Sequence, residues 1–173
     1  MNETWWVDPS QLDDDQKSVL SARPELDILI LGTPGSGKTN ILMLRANYVR
    51  SVAPRMVFLT FSRTLAEFLR AGPNVGREDQ IKSDEIRTFM SWGMKFLSDH
   101  DRPMPDEDLD FDEKRNALIE AISELVETEQ IGKLYDVVFI DEVQDFYAAE
   151  LHLLGQLSNR VNAAGDSRQA IWK

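Results

Sequence analysis

The sequence predicts an α/β fold with a mostly parallel central sheet, and three observations predict it. Short apolar runs alternate with segments whose apolar residues recur at three-and-four spacing. The first run, Ile28 to Leu31, breaks into a glycine-rich loop that opens directly into a helix, as in a strand–loop–helix unit. A later run, Val137-Val138-Phe139-Ile140, is wholly apolar and suits a strand buried on both faces.

The elements follow in order. A short helix over about Asp13 to Ala22 precedes the strand Ile28-Leu29-Ile30-Leu31. Gly32-Thr33-Pro34-Gly35 ends that strand, and the chain resumes as a helix from Lys38 to about Arg50. Met56 to Thr60 forms a second strand leading into a helix that carries Leu65, Phe68 and Leu69. A third short strand near Ile86 leads into a helix with Phe89, Trp92, Phe96 and Leu97 on one face. From Ser98 to Glu113 eight acids face a single Arg102, with two prolines among them, so this stretch is expected as an exposed connector. Phe111, Leu118, Ile119, Ile122, Leu125 and Val126 then fall on one helical face, expected to pack into the core. After the strand at Val137 to Ile140 come a helix near Ala148 to Leu157 and a last strand near Val161 to Ala164. Trp5 and Trp6 are expected to anchor the N-terminal segment by packing.

Composition narrows the chemistry. The 173 residues amount to one domain, with 42% hydrophobic and 28% charged residues, ordinary globular usage. A net charge of −11 favours solubility and excludes a uniformly basic nucleic-acid coat. The absence of cysteine excludes disulfide scaffolds, thiolate zinc sites, iron–sulfur clusters and cysteine nucleophiles. With only His100 and His152 available, any metal is expected to be oxygen-bound. Neither a signal sequence nor an apolar run approaching the ~18 residues of a membrane span occurs, so a cytoplasmic protein without membrane contact is expected. Six bases between Lys38 and Arg70 stand against Glu67 alone, which reads either as a local basic surface or as solvated helix faces.

The segment Gly32-Thr33-Pro34-Gly35-Ser36-Gly37-Lys38-Thr39 fits the phosphate-loop pattern G-x-x-x-x-G-K-[ST], and it lies between a strand and a helix as the mechanism requires. Glycines let backbone N–H groups turn in around phosphates, and the helix N-terminus adds a favourable dipole. Lys38 is placed to reach the terminal phosphates, and the Thr39 hydroxyl to ligate Mg²⁺. The fold class is accordingly an α/β P-loop NTPase. Asp141 and Glu142 follow a strand and should reach the same sheet edge, Asp141 to hold Mg²⁺ and Glu142 to polarise the attacking water. A third strand end, Gly165-Asp166-Ser167-Arg168-Gln169, places Gln169 to sense the γ-phosphate or that water. The catalytic set expected is Lys38, Glu142 and Gln169.

Together these residues resemble the first RecA-like domain of superfamily 1 DNA helicases of the UvrD/Rep type, a three-layer sandwich, along nearly the whole chain. Gln16, in Leu12-Asp13-Asp14-Asp15-Gln16, is similar to the family's Q motif, which implies that it reads adenine and that the nucleotide is ATP. Leu59-Thr60-Phe61-Ser62-Arg63 and Arg87-Thr88-Phe89-Met90-Ser91 resemble two motifs that touch single-stranded DNA. Asp141-Glu142-Val143-Gln144-Asp145 resembles the DExQD box, and Gly165 to Trp172 the GDxxQxIY motif, with Trp172 at the base-stacking aromatic. The resemblance implies Thr60, Phe61, Ser62, Arg63, Thr88 and Trp172 as DNA contacts. From the residues alone Phe61 reads either as a stacking face or as a core aromatic, and Arg63 as a phosphate contact or a solvated arginine. Trp172 reads either as that stacking face or as an end-of-chain hydrophobe, and Phe89 as core.

Departures from the family pattern are also present. Met90 stands where relatives often have histidine and Asn40 where many have arginine, and the short connector leaves no room for an accessory DNA-binding subdomain. The sequence stops at Lys173 inside the last motif. The resemblance therefore implies a second RecA-like domain with arginine fingers, in cis or in trans, and weak or no ATP hydrolysis by these residues alone. The expectation is one RecA-like ATP-binding domain over residues 1–173. The alternative is a stand-alone nucleotide-binding regulatory module without helicase activity.

Overall fold

The structure is a computed structural model that describes Trp6 and residues 9–166. Its frame is a five-stranded sheet of β1 (Ile28–Leu31), β2 (Met56–Thr60), β3 (Ile86–Thr88), β4 (Val137–Ile140) and β5 (Val161–Gly165). All five strands pair in parallel, in the order β1-β5-β4-β2-β3. The helices are α1 (Asp14–Ser21), α2 (Lys38–Val49), α3 (Arg63–Arg70), α4 (Phe89–Asp99), α5 (Phe111–Thr128) and α6 (Ala148–Leu157). The α/β class and the position of each expected element are as the sequence indicates.

Strand alternation sorts the core into two layers. Met56, Phe58, Val137, Phe139 and Ala164 pack beneath α2 and α3 with Leu42, Met43, Ala46 and Leu69. Val57, Leu59, Val138, Ile140 and Ala163 face the opposite way, against α4, α5 and α6 through Trp92, Phe96, Leu118, Ile122 and Leu154. Each face of the central strands buries apolar side chains, which is why these runs show no polar alternation. Helix α1 packs on α2 in a smaller cluster of Leu12, Ile41 and Leu44 with Val19 and Leu20. That docking is fixed by Arg45, fully buried, whose Nη1 donates to the Leu20 carbonyl at 2.9 Å and to the Ala22 carbonyl, and whose Nη2 donates to Arg23 O at 2.8 Å. The guanidinium thus satisfies the carbonyls at the C-terminal end of α1.

One expectation is corrected here, and one open reading is narrowed. Phe111 was expected on the buried face of α5, but it opens that helix and is 54% exposed, because the core stripe begins one turn later at Arg115 and Leu118. The basic stretch between Lys38 and Arg70 is not a continuous surface. Arg45 is buried, Arg50 pairs with Glu85 at 2.7 Å, and Arg55 pairs with Asp136 at 2.7 Å beside the first residues of β2 and β4. Trp6 does pack, stacking on Phe68 with ring centroids 5.7 Å apart, whereas Trp5 lies outside the described residues.

Candidate nucleotide site and neighbouring aromatic cleft

Because every strand is parallel, the residues that follow them gather at one sheet edge. The strand order divides that edge in two. The phosphate loop after β1, the turn after β5 and the acid box after β4 stand side by side, while the ends of β2 and β3 lie beyond the acid box. Gly32 N–H donates to Gly165 O at 3.3 Å, and Asp141 N–H to Leu59 O at 2.8 Å, so adjoining strand ends are tied together.

Gly35 and Gly37 take φ of +79° and +78°, the left-handed region that favours glycine, and so turn the loop from β1 into α2. Thr33, Pro34, Gly35 and Ser36 are exposed on this turn, which the Ser36 N–H to Thr33 O bond at 3.2 Å closes. A Cβ on Gly32 would lie 2.6 Å from Ser36 Oγ, so a side chain there would turn that hydroxyl aside. Gly37 caps α2 without a side-chain bond, leaving the first-turn N–H groups for an anion. The Lys38 ammonium, 8% exposed, donates to Gly32 O at 3.1 Å and Thr33 O at 3.0 Å, which holds it over the loop with one of its three donors to spare.

Asp141 is fully buried opposite this loop. Its Oδ1 accepts from Glu142 N–H at 3.0 Å, while Oδ2 has no hydrogen-bond partner among the described residues. Burial, with a smaller push from Glu142, raises its carboxyl from 3.8 to about 6, against the opposing pull of the Thr39 hydroxyl and the Lys38 ammonium. A buried carboxylate oxygen without a donor, beside a threonine hydroxyl, fits a hard cation that takes one or two protein oxygens and completes its shell with phosphates and water. No group of three or more His, Asp or Glu that could hold a metal by itself occurs among the described residues.

Glu142 sits at φ 53°, ψ 49°, an unusual conformation for a side-chain-bearing residue. The following 3-10 turn, Val143–Asp145, explains what holds it. Gln144 Nε2 donates to Glu142 Oε2 at 2.5 Å, and its Oε1 accepts from Asp166 N–H at 3.1 Å. One amide thus ties the acid box to the end of β5, a role the sequence reading did not assign to Gln144. The signal was present, since a neutral side chain with both donor and acceptor stands between Glu142 and Asp145. Asp145 is also raised, by burial first and then by Glu142.

Gln16 lies against the loop. Its Nε2 donates to Ser36 O at 3.4 Å, and its Oε1 accepts from Asp13 N–H at 3.1 Å in a reciprocal cap of α1. Gln16 and Lys38 line a cleft of about 330 Å³ that also includes Val19, Ile30 and Ile41. Gln169 and Trp172 lie outside the described residues.

Of the residues expected to touch DNA, Thr60, Phe61, Ser62, Arg63 and Thr88 lie at the ends of β2 and β3, and Trp172 lies outside the described residues. Phe61 and Arg63 are exposed, and Ser62 and Thr88 cap α3 and α4 through bonds from Leu65 N–H at 3.2 Å and Ser91 N–H at 3.1 Å. Thr60 is fully buried and its hydroxyl has no hydrogen-bond partner among the described residues. Alternation turns the Thr60 side chain with Phe58 toward α2, away from solvent, so that any DNA contact at this position falls to its backbone. Phe89 is buried in the core, as read from sequence. A residue that sequence reasoning missed lies beneath Phe61. Arg115, 4% exposed, donates from Nε to Glu150 Oε1 at 2.5 Å, from Nη2 to Glu150 Oε2, and from Nη2 to Asp145 O at 2.8 Å. Its guanidinium lies 3.8 Å from the Tyr147 ring centroid and 5.1 Å from that of Phe61.

A family model described as an AAA domain matches residues 15–173. No curated protein matches. Among solved structures, AMPPCP-bound DnaA from Aquifex aeolicus is similar at 15% identity and a TM-score of 0.42, covering 91% of this chain and 38% of that one. A replication initiator DnaA bound to AMPPCP and single-stranded DNA matches at 15% identity and TM-score 0.39, covering 87% and 36%. A DNA replication initiation factor matches at 15% identity and TM-score 0.38, covering 88% and 36%. The chain therefore spans little more than a third of the length of these structures. No helix of the described residues is long and apolar enough to cross a membrane.

Proposed function

The chain belongs to the family of AAA domains, P-loop nucleotide-binding domains, and from this we propose that it binds Mg²⁺-ATP as the first motor domain of a UvrD/Rep-like DNA-dependent ATPase. The observation that carries the reading is the buried Asp141 carboxylate at the sheet edge shared with the phosphate loop, whose Oδ2 has no well-formed hydrogen bond among the described residues and whose neighbours are the Thr39 hydroxyl and the Lys38 ammonium. A plain surface turn would leave that carboxylate solvated.

In this reading the loop N–H groups and the third Lys38 donor hold the β- and γ-phosphates, and Gln16 approaches the base from α1. Thr39 and Asp141 would hold Mg²⁺, which would supply charge neutralisation to the phosphate oxygens. Glu142 accepts a hydrogen bond from the attacking water, and Gln144 keeps that carboxylate aimed by holding it against the end of β5. Gln169, outside the described residues, is the residue this reading assigns to sensing the γ-phosphate. Single-stranded DNA lies across the ends of β2 and β3, a base on Phe61 and phosphates on Arg63 and the capped N-termini of α3 and α4. A second RecA-like domain, in cis or in trans, supplies an arginine finger, worth ~10³ or more in rate. The cytoplasm is the setting that suits such an enzyme.

Titration of a fluorescent ATP analogue tests the nucleotide half. The wild type should bind in a Mg²⁺-dependent manner, and Lys38→Ala should weaken binding by roughly 10- to 100-fold, the worth of a charge-assisted hydrogen bond of about 1.5–3 kcal/mol. Equal affinity in the two proteins overturns the proposal. ATP hydrolysis that rises on adding oligonucleotide, in a chain carrying the second domain, separates the motor from a non-hydrolysing nucleotide module.

A further inference from the structure

We propose that Phe111, at the end of the acidic connector, is a second stacking residue for single-stranded nucleic acid, forming with Phe61 one aromatic site for an unpaired base. This rests on the DNA-binding reading of the β2 and β3 ends and adds a residue that no motif of that reading contains.

The two rings meet edge to face, with centroids 6.0 Å apart and planes at 83°. Such a pair inside a core would hide both rings, yet Phe61 stays 40% and Phe111 54% exposed. Phe111 is the first residue of α5, after the Asp110 cap, where the helix itself requires no aromatic. Exposed apolar residues are ordinary when scattered, but these two converge. They share the wall of a cleft of about 310 Å³ with Arg63, Thr88 and Met90, and Phe111 continues into an adjoining cleft of about 630 Å³.

Charge identifies the occupant. None of the connector's acids lines either cleft, and the wider one carries Arg63, Arg70 and Lys114 against Glu67 alone. Ser62 and Thr88 turn the N-terminal ends of α3 and α4 into the narrower cleft. Aromatic faces beside cations and helix N-termini match a flat base joined to phosphates, since stacking tolerates any base and the cations meet the backbone. Buried Arg115, fixed by Glu150, lies 5.1 Å from the Phe61 ring centroid and adds a cation to the lining of the narrower cleft, while Phe61 remains 40% exposed. An acidic chain of net charge −11 can hold a polyanion this way because the binding charge is local.

Fluorescence anisotropy with labelled oligo-dT, in low salt, tests the proposal on the 173-residue chain. Phe111→Ala should weaken binding roughly 5- to 100-fold, as expected for one base–aromatic stack, and Phe111→Tyr should restore it. The salt dependence should keep its slope, because a ring neutralises no phosphate. An abasic oligonucleotide should bind both wild type and Phe111→Ala weakly and alike. Wild-type affinity in Phe111→Ala while Phe61→Ala is weakened overturns the role of Phe111 and leaves the DNA-binding reading standing. Equal binding of abasic and oligo-dT strands by the wild type overturns stacking, and no oligonucleotide binding by the wild type overturns the underlying reading and this inference with it.

Discussion

Asp141→Asn should separate what this carboxylate costs the fold from what it supplies to the ligand. The rise from 3.8 to about 6 corresponds to about 3 kcal/mol of discrimination between the protonated and ionised forms. Because the folded chain binds this proton more tightly than the unfolded one, the associated stability is fully present below about pH 4 and is lost as pH climbs through about 6. About half of that loss falls above pH 5. Asparagine keeps the acceptor for the Glu142 N–H and removes the titration, while its partnerless amide adds a pH-independent cost of about 1–3 kcal/mol. Urea unfolding of both proteins in EDTA, without nucleotide, between pH 5 and 8 gives the difference curve. Asp141→Asn should gain about 1.5 kcal/mol on the wild type across that interval and should lose Mg²⁺-dependent ATP binding. Parallel stability curves would refute the reasoning, since they would show the carboxyl titrating alike in both states.

Three further outcomes follow from the geometry around this site. Arg115→Met should destabilise by about 3–5 kcal/mol, because it leaves the fully buried Glu150 carboxylate with only the Tyr147 N–H at 2.8 Å, and Arg115→Met with Glu150→Leu should recover most of the loss in a double-mutant cycle. Gly165→Ala puts a Cβ 2.7 Å from both Gln144 Oε1 and Val143 Cγ1, and thermal unfolding should show a cost of about 1–3 kcal/mol with weaker nucleotide hydrolysis. Gln144→Leu should lower kcat while leaving ATP affinity within about threefold, because its hydrogen bonds reach Glu142 and Asp166 N–H and not the phosphate loop; an equal loss in affinity would contradict the positioning role.

How much of this was legible in sequence varies by residue. Gly35, Gly37, Lys38 and Thr39 were fully legible, because a phosphate loop is local and its turn, donors and helix start are set by neighbours in the chain. Asp141 and Glu142 were legible as candidates, and their arrival beside the loop followed from parallel strands ending at one edge. Gln144 was visible as a residue but not as a strut, since its acceptor bond reaches across 22 positions to Asp166.

By itself the sequence determined the order of strands and helices and the glycine turn, and it proposed the reacting groups, because hydrophobic period and backbone preference act over a few residues. Tertiary structure alone decided the strand order β1-β5-β4-β2-β3, which sets the nucleotide residues beside one another and leaves the aromatic cleft at the far strands. It also decided individual fates that composition leaves open. Arg45 went inside because the last carbonyls of α1 needed a donor, and Arg115 because Glu150 and the Asp145 carbonyl lay within its reach. Thr60 turned inward with its strand, and Phe111 stayed outside because α5 begins its buried stripe one turn later. Burial of a side chain depends on what the opposite layer presents to it, and that is fixed only when the layers meet.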